Sequence, residues 1–127
     1  MVDINGSKPI YIQIAEWVEN EILRGHFKPN DKVHSQYTLA DMFNINPATA
    51  AKGLNVLHDD RIVYNKRGLG KFVTDDAKAI ILEKRKNETL KRLLRDVVIE
   101  ANHLQIDEQE LRDMLEDVIR DHKGEKT

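Results

Sequence analysis

Between Arg61 and Lys71 the sequence places Arg61, Lys66, Arg67 and Lys71 with no acid among them, while Asp59, Asp60 and Asp75 stand just outside. Such a run attracts a polyanion and displaces its counterions. Gly68 and Gly70 lie within it, and glycine lets a backbone approach a ligand closely because no Cβ intervenes. Arg67 beside Gly68 suits the minor groove of a duplex, whose negative potential draws guanidinium. A hairpin charged only for solubility is the plainer reading, and the missing acids weigh against it.

Upstream, a second set offers hydrogen bonds. Asn46, Ala48, Thr49, Ala51, Lys52 and Asn55 point away from Ala50, Leu54 and Leu57 if the segment is helical. Thr49 and Asn55 donate or accept. Asparagine pairs bidentately with adenine, and Ala51 fits a thymine methyl. The free N–H groups at the start of that helix suit a phosphate oxygen. Ser35, Gln36 and Tyr37, opening the helix before it, offer the same contact. The plainer reading of this set is a solvated face.

Composition removes other classes. The 127 residues include no cysteine, which excludes a disulfide-held fold, a cysteine-ligated zinc site and a thiol nucleophile. No apolar run nears the ~20 residues that span a bilayer. The start, MVDINGSKP, lacks a secretory pattern, so a cytoplasmic location is expected. A net charge of −2 does not advertise a nucleic-acid binder, so any such role must be local. Gly68-Leu69-Gly70-Lys71 lacks the rest of a phosphate loop, and His58-Asp59-Asp60 is a weak metal candidate. His103 and His122 read as surface residues near helix ends. No nucleophile–base or metal cluster suggests an enzyme, and no cofactor or metal is expected.

These residues need elements to hold them. Apolar positions at Ile10, Ile14, Trp17, Val18, Ile22 and Leu23 form a helical stripe, with Ser7 as cap, Pro9 in the first turn and Gly25 as the stop. Phe27 to Lys32 reads as a turn cluster around Pro29-Asn30-Asp31. A short helix capped by Ser35 buries Leu39, Ala40, Met42 and Phe43; Asn46 caps the next, from Pro47 to His58, inside which Gly53 is costly. Ile62-Val63-Tyr64 and Lys71-Phe72-Val73 flank the glycine tip as a hairpin. Ala77 to Leu104 then reads as a long helix, with a polar, joint-like stretch at Glu83–Glu88. Asp107 with Glu110 resembles a capping box opening a last helix, beyond which HKGEKT should fray. The spacing predicts a mainly α chain with a small β-hairpin wing: a winged helix-turn-helix over residues 1–75, followed by two C-terminal helices over 76–127.

Residues Lys8 to Val73 resemble the DNA-binding domain of the GntR family of bacterial transcription regulators. The matching pieces are Pro9-Ile-Tyr-Ile-Gln-Ile-Ala15, Gly25, Phe27-Lys-Pro-Asn-Asp-Lys-Val33, Ser35 with Leu39-Ala40, Ile45-Asn46-Pro47-Ala48-Thr49, Leu54 and Leu57, and Gly68-Leu-Gly70-Lys-Phe-Val73. The Ile-Asn-Pro-x-Thr turn and the short tail are similar to the YtrA-type branch, whose members carry two C-terminal dimerisation helices. The resemblance carries DNA contact onto Ser35, Thr49, Lys52, Arg67, Gly68 and Gly70. Where the family usually reads Leu-Pro-Ser-x-Arg this chain has Val33-His34-Ser35-Gln36-Tyr37, and Ala51 stands at another common arginine position. Tyr37 and Asn55 are therefore candidates from their own chemistry.

The C-terminal stripe runs through Leu90, Leu94, Val97, Ala101 and Leu104 at spacings of 4 and 3, a coiled-coil-like seam. Leu111, Met114, Leu115, Val118 and Ile119 share a face of the last helix. Two helices with one apolar stripe each cannot cover both, so a second copy is expected there; the plainer reading, that both fold back on the first domain, is opposed by the polar stretch Glu83–Glu88. Met114 and Leu115 also suit a small apolar effector, against the plainer reading of dimer core. The sequence thus points to a homodimeric repressor reading a palindromic operator with the Pro47–His58 helix and the Arg67–Gly70 wing. A winged-helix protein-interaction adaptor is the alternative.

Overall fold

The computed structural model describes residues 2, 3 and 6–125 of the chain. They form two compact units, one ending at Lys84 and one starting at Arg85.

The first unit opens with α1, Ile10–Leu23, which buries Ile14, Ala15, Val18 and Ile22. Pro9, not Ser7, occupies its N-cap position, and among the described residues no side chain caps it. Gln13 ties down the incoming chain instead: its Nε2 donates to the carbonyls of Asp3 (2.8 Å) and Lys8 (3.0 Å), and its Oε1 accepts from the Asp3 amide (2.6 Å). Gly25, at φ +80°, ends the helix in the left-handed region that favours glycine.

Helix α2, Gln36–Phe43, is capped as the sequence suggests, the Thr38 amide donating to Ser35 Oγ at 3.1 Å. Leu39 and Ala40 are buried, but Met42 is exposed and Phe43 lies edge-on to Trp17, 5.2 Å between ring centres. At Asn44, φ +54°, α2 stops. Asn46 Oδ1 then accepts the Ala48 amide at 2.8 Å to start α3, Pro47–Asp59. Ala50, Gly53, Leu54 and Leu57 form its buried side, and α3 packs against both α1 and α2.

Strands β1, Val63–Lys66, and β2, Gly70–Val73, pair antiparallel from Val63↔Val73 to Lys66↔Gly70. Ile62, expected in the first strand, precedes it and is fully buried. The segment read as a turn also gives β2 a second neighbour. Asn30 N–H donates to the Val73 carbonyl (2.8 Å), Val73 N–H to Asp31 (2.9 Å) and Val33 N–H to Lys71 (3.0 Å), with Lys32 bridged to Phe72. Local turn residues mark the corner at 29–31; the pairing beyond it is set by a partner some forty residues away, which no local pattern contains.

Helix α4, Ala77–Lys84, buries Ala77 and Ile81 and completes the first unit. Lys84 Nζ donates to Glu19 Oε2 and Asp60 Oδ2, each at 2.7 Å, and Glu19 is wholly buried.

In the second unit the helical path is not uniform. Arg85–Leu90 is π-helical and has no buried residue. Helix α5, Lys91–His103, closes with Gln105 at φ +59° and the Ile106 amide on the Ala101 carbonyl (2.9 Å). Asp107 Oδ1 accepts the Glu110 amide at 2.8 Å, as a cap should, and α6 runs Glu108–Glu125. The tail expected to fray is thus helical through Glu125, while Lys126 and Thr127 lie outside the described residues. Among the described residues no helix is long and apolar enough to cross a membrane.

Candidate nucleic-acid interface

The buried side of α3 determines what it offers outward. Asn46, Ala48, Lys52 and Asn55 are exposed, and Thr49 and Ala51 are half-buried. Thr49 and Asn55 make no side-chain hydrogen bond among the described residues, so their polar atoms remain available to a ligand. Lys52 is already engaged: its ammonium sits 4.2 Å above the centre of the Tyr11 ring, a cation–π contact.

The expected phosphate site at the start of α3 is corrected by the hydrogen bonds found there. Pro47 has no N–H. The Ala48 amide is taken by Asn46 Oδ1, and those of Thr49 (3.0 Å) and Ala50 (3.2 Å) by the Asn46 carbonyl. A sequence that caps its own helix well leaves few donors for a ligand. The start of α2 differs. Ser35 supplies acceptors for Thr38 and Leu39, while the amides of Gln36 and Tyr37 have no acceptor among the described residues. Donors for a phosphate therefore stand at α2.

Those amides belong to residues lining a groove of about 410 Å3 whose other side is the wing: Asn65, Lys66, Arg67, Gly68, Gly70 and Lys71, with Lys32. Among the described residues no carboxylate lines it. Of the acids that flank the wing in sequence, Asp60 pairs with Lys84 and Asp75 accepts from Asn30, while Asp59 is exposed, 3.9 Å from His58 Nδ1. Within the wing, Lys66 lies 4.4 Å above the Phe72 ring and Lys71 donates to Asn65 Oδ1 at 2.7 Å. Arg67 is exposed and has no hydrogen-bond or ion-pair partner among the described residues. Gly68 (φ +77°) and Gly70 (φ +112°) adopt the backbone that makes the tight tip.

The groove brings together Ser35, Gln36, Tyr37, Lys66, Arg67, Gly68, Gly70 and Lys71. Asn46, Thr49, Lys52 and Asn55 occupy the outer side of α3 in the same unit. Tyr37 is 67% exposed and offers its phenol to the groove. Sequence reasoning missed Lys32 and Asn65. No local pattern marks Lys32, which is exposed beside buried Val33 only because β2 pairs with residues 30–33.

In the second unit Leu90, Leu94, Val97, Leu104, Met114, Leu115 and Val118 are exposed by 46–63%, while Ala101 is buried and Leu111 half-buried within the helix pair. Leu93, Val98 and Ile119 are exposed as well, so the apolar surface is broader than a two-residue seam. A groove of about 470 Å3 runs between α5 and α6, lined by Leu94, Val97, Val98, Leu111 and Leu115 among others; Met114 is not part of it.

Comparison with known proteins agrees with this architecture. The family model described as "Bacterial regulatory proteins, gntR family" matches residues 10–73. The chain is 30% identical over 125 residues to the HTH-type transcriptional repressor YtrA of Bacillus subtilis, covering 98% of this chain and 95% of that protein. A GntR family transcriptional regulator from Listeria monocytogenes superposes with a TM-score of 0.72 at 32% identity, over 90% of this chain and 98% of its own. BusR of S. agalactiae, solved in complex with its busAB-promotor DNA, gives 0.56 at 31% identity, over 91% of this chain and 58% of that one. These likenesses do not favour the adaptor alternative. With a winged helix-turn-helix, an acid-free groove beside its wing and relatives matched along nearly the whole length, the chain belongs to the GntR family of bacterial regulatory proteins and is a DNA-binding transcriptional regulator.

Proposed function

We propose that the chain acts in the cytoplasm as a homodimeric repressor that reads a two-fold operator with α3 and steadies itself on the backbone with α2 and the wing. The observation that carries this is the groove between the start of α2 and Arg67, with no carboxylate lining it and no partner for Arg67 among the described residues, in the unit that also exposes Asn55 on α3. Asn55 and Thr49 meet base edges in the major groove. Arg67 enters the adjoining minor groove, and the Gln36 and Tyr37 amides hold a phosphate between them.

A second copy covers the apolar surface of α5 and α6, where Leu94, Val97 and Leu115 stand half exposed in a single chain. Two-fold symmetry then offers two α3 helices to major grooves ~34 Å apart, or a multiple of that. Any small apolar effector would share the α5–α6 groove with the partner's side chains. The repressor assignment is supported by the relative named as one, YtrA; occupancy of a promoter is a sufficient mechanism for a protein of this size.

Sequencing the DNA that co-purifies with the protein supplies the operator. Anisotropy titrations of that operator across salt concentrations then test the reading. Binding should weaken steeply with salt, as counterion release requires. Arg67→Ala should weaken all duplexes alike, and Asn55→Ala should lower the preference for the operator over unrelated DNA. No affinity for any duplex at low salt would sink the proposal.

A further inference from the structure

We infer that Lys32 is a DNA-backbone ligand, a cation fixed on the edge of the wing and carried across Gly70 into the groove. The backbone places it there. Residues 30–33 are hydrogen-bonded to β2 on both sides of Lys32, through Asn30 N–H to Val73, Val73 N–H to Asp31 and Val33 N–H to Lys71. Lys32 itself bridges Phe72. Val33 points inward, 3% exposed, so by strand alternation Lys32 points out.

The side chain follows the wing. A Cβ at Gly70 would come within 3.0 Å of Lys32 Cε and 3.7 Å of its Nζ. A side chain at position 70 would therefore push the lysine off its path. The glycine that looked like part of the tip chemistry also serves as the floor under Lys32.

Its lack of a partner is the decisive feature. Of the lysines and arginines lining the groove, Lys66 rests on the Phe72 ring and Lys71 on Asn65. Lys32 and Arg67 have no hydrogen bond, ion pair or ring contact among the described residues. An unpaired ammonium among other cations, with no carboxylate in the groove, raises the energy of the free protein. A polyanion reverses that sign. Lys32 thus acts on phosphate, supplying affinity and wing register without sequence choice.

The inference rests on the DNA face proposed above. Its test compares Lys32→Met, which keeps the apolar stem and removes the charge, with the wild type on the operator and on an unrelated duplex over a salt series. The slope of log K against log salt should become shallower by about 0.9, the signature of one lost phosphate contact. Affinity for both duplexes should fall several-fold and in equal proportion, with a melting temperature equal to or above the wild type's, since a repelled charge is removed. Lys32→Arg should restore the slope, and Lys28→Met, a cation on the preceding turn, should leave it alone. An unchanged slope in Lys32→Met, with wild-type binding intact, overturns the inference alone. Absence of wild-type binding overturns the DNA face and the inference together.

Discussion

Gly53 of α3 lies against the backbone carbonyl of Tyr11 in α1, so closely that a Cβ at Gly53 would sit 2.8 Å from the Tyr11 oxygen and 3.2 Å from Ile14. Glycine inside a helix ordinarily costs ~1 kcal/mol relative to alanine. Here the missing methyl is what lets α3 lie directly on α1. Gly53→Ala should therefore destabilise the first unit by about 1–3 kcal/mol, the usual cost of overpacking, instead of gaining helix propensity. Urea unfolding measures the sign. A stabilised Gly53→Ala would mean that α3 can move away from α1 freely.

Most features carried by neighbours in sequence were readable from it, the Ser7 cap of α1 excepted, and features carried by distant pairs were not. Ser35, Asn46 and Asp107 cap the helices they precede, because a cap is a contact over two or three residues. The hairpin follows from Gly68 and Gly70 between β-branched and aromatic runs. By contrast, Gly53 looked like a defect until Tyr11 was beside it. Lys32 looked like a turn residue until β2 paired with it. The start of α3 is closed by Asn46, whose carbonyl takes two amides beyond the one its side chain accepts.

The ion triad at Lys84 is another such distant feature, and it yields a pH prediction. Burial by itself would lower the Lys84 pKa. The hydrogen bonds to Asp60 and Glu19, with the charges of both, outweigh burial and hold it above its ordinary value of 10.5. A raised lysine contributes stability that is fully present below 10.5 and is lost as pH rises through the higher folded value. The melting temperature should accordingly carry an alkaline decline above that pH, part of which Lys84→Met abolishes. At neutral pH Lys84→Met should cost about 1–3 kcal/mol, below the 3–5 kcal/mol of a fully buried pair because Lys84 and Asp60 retain water. An alkaline profile identical in the two proteins would remove the triad as its cause.

Arg61 ends α3 at φ +63°, the position where glycine is preferred. Its amide donates to the His58 carbonyl at 3.0 Å and that of Ile62 to Leu57 at 2.9 Å, so the conformation is required by the helix end and not by the arginine side chain. Arg61→Gly should raise stability by about 0.5–1 kcal/mol, read as a shift of the urea midpoint with an unchanged m-value. Because Arg61 does not line the groove, the salt slope of DNA binding should stay as it is. A shallower slope would add Arg61 to the phosphate contacts and explain why a strained cation stands there.

The last prediction concerns Leu94. It lines the α5–α6 groove and remains 46% exposed in the single chain, beside Val97 and Val98 at 48 and 49%. Completing the burial of a leucine or valine that is half covered is worth about 1 kcal/mol, half of the ~1.5–3 kcal/mol for a full side chain. A dozen such side chains from two copies would offset the ~4–15 kcal/mol cost of association with little to spare. One buried charge should then break the pairing. Leu94→Asp is expected to sediment as a monomer and to bind a two-half-site operator at least a hundredfold more weakly, since the second half-site is no longer reached at high effective concentration. Its affinity for an isolated half-site should match the wild type, because Leu94 belongs to the second unit and the DNA face to the first. A Leu94→Asp protein that still sediments as a dimer would move the interface off α5.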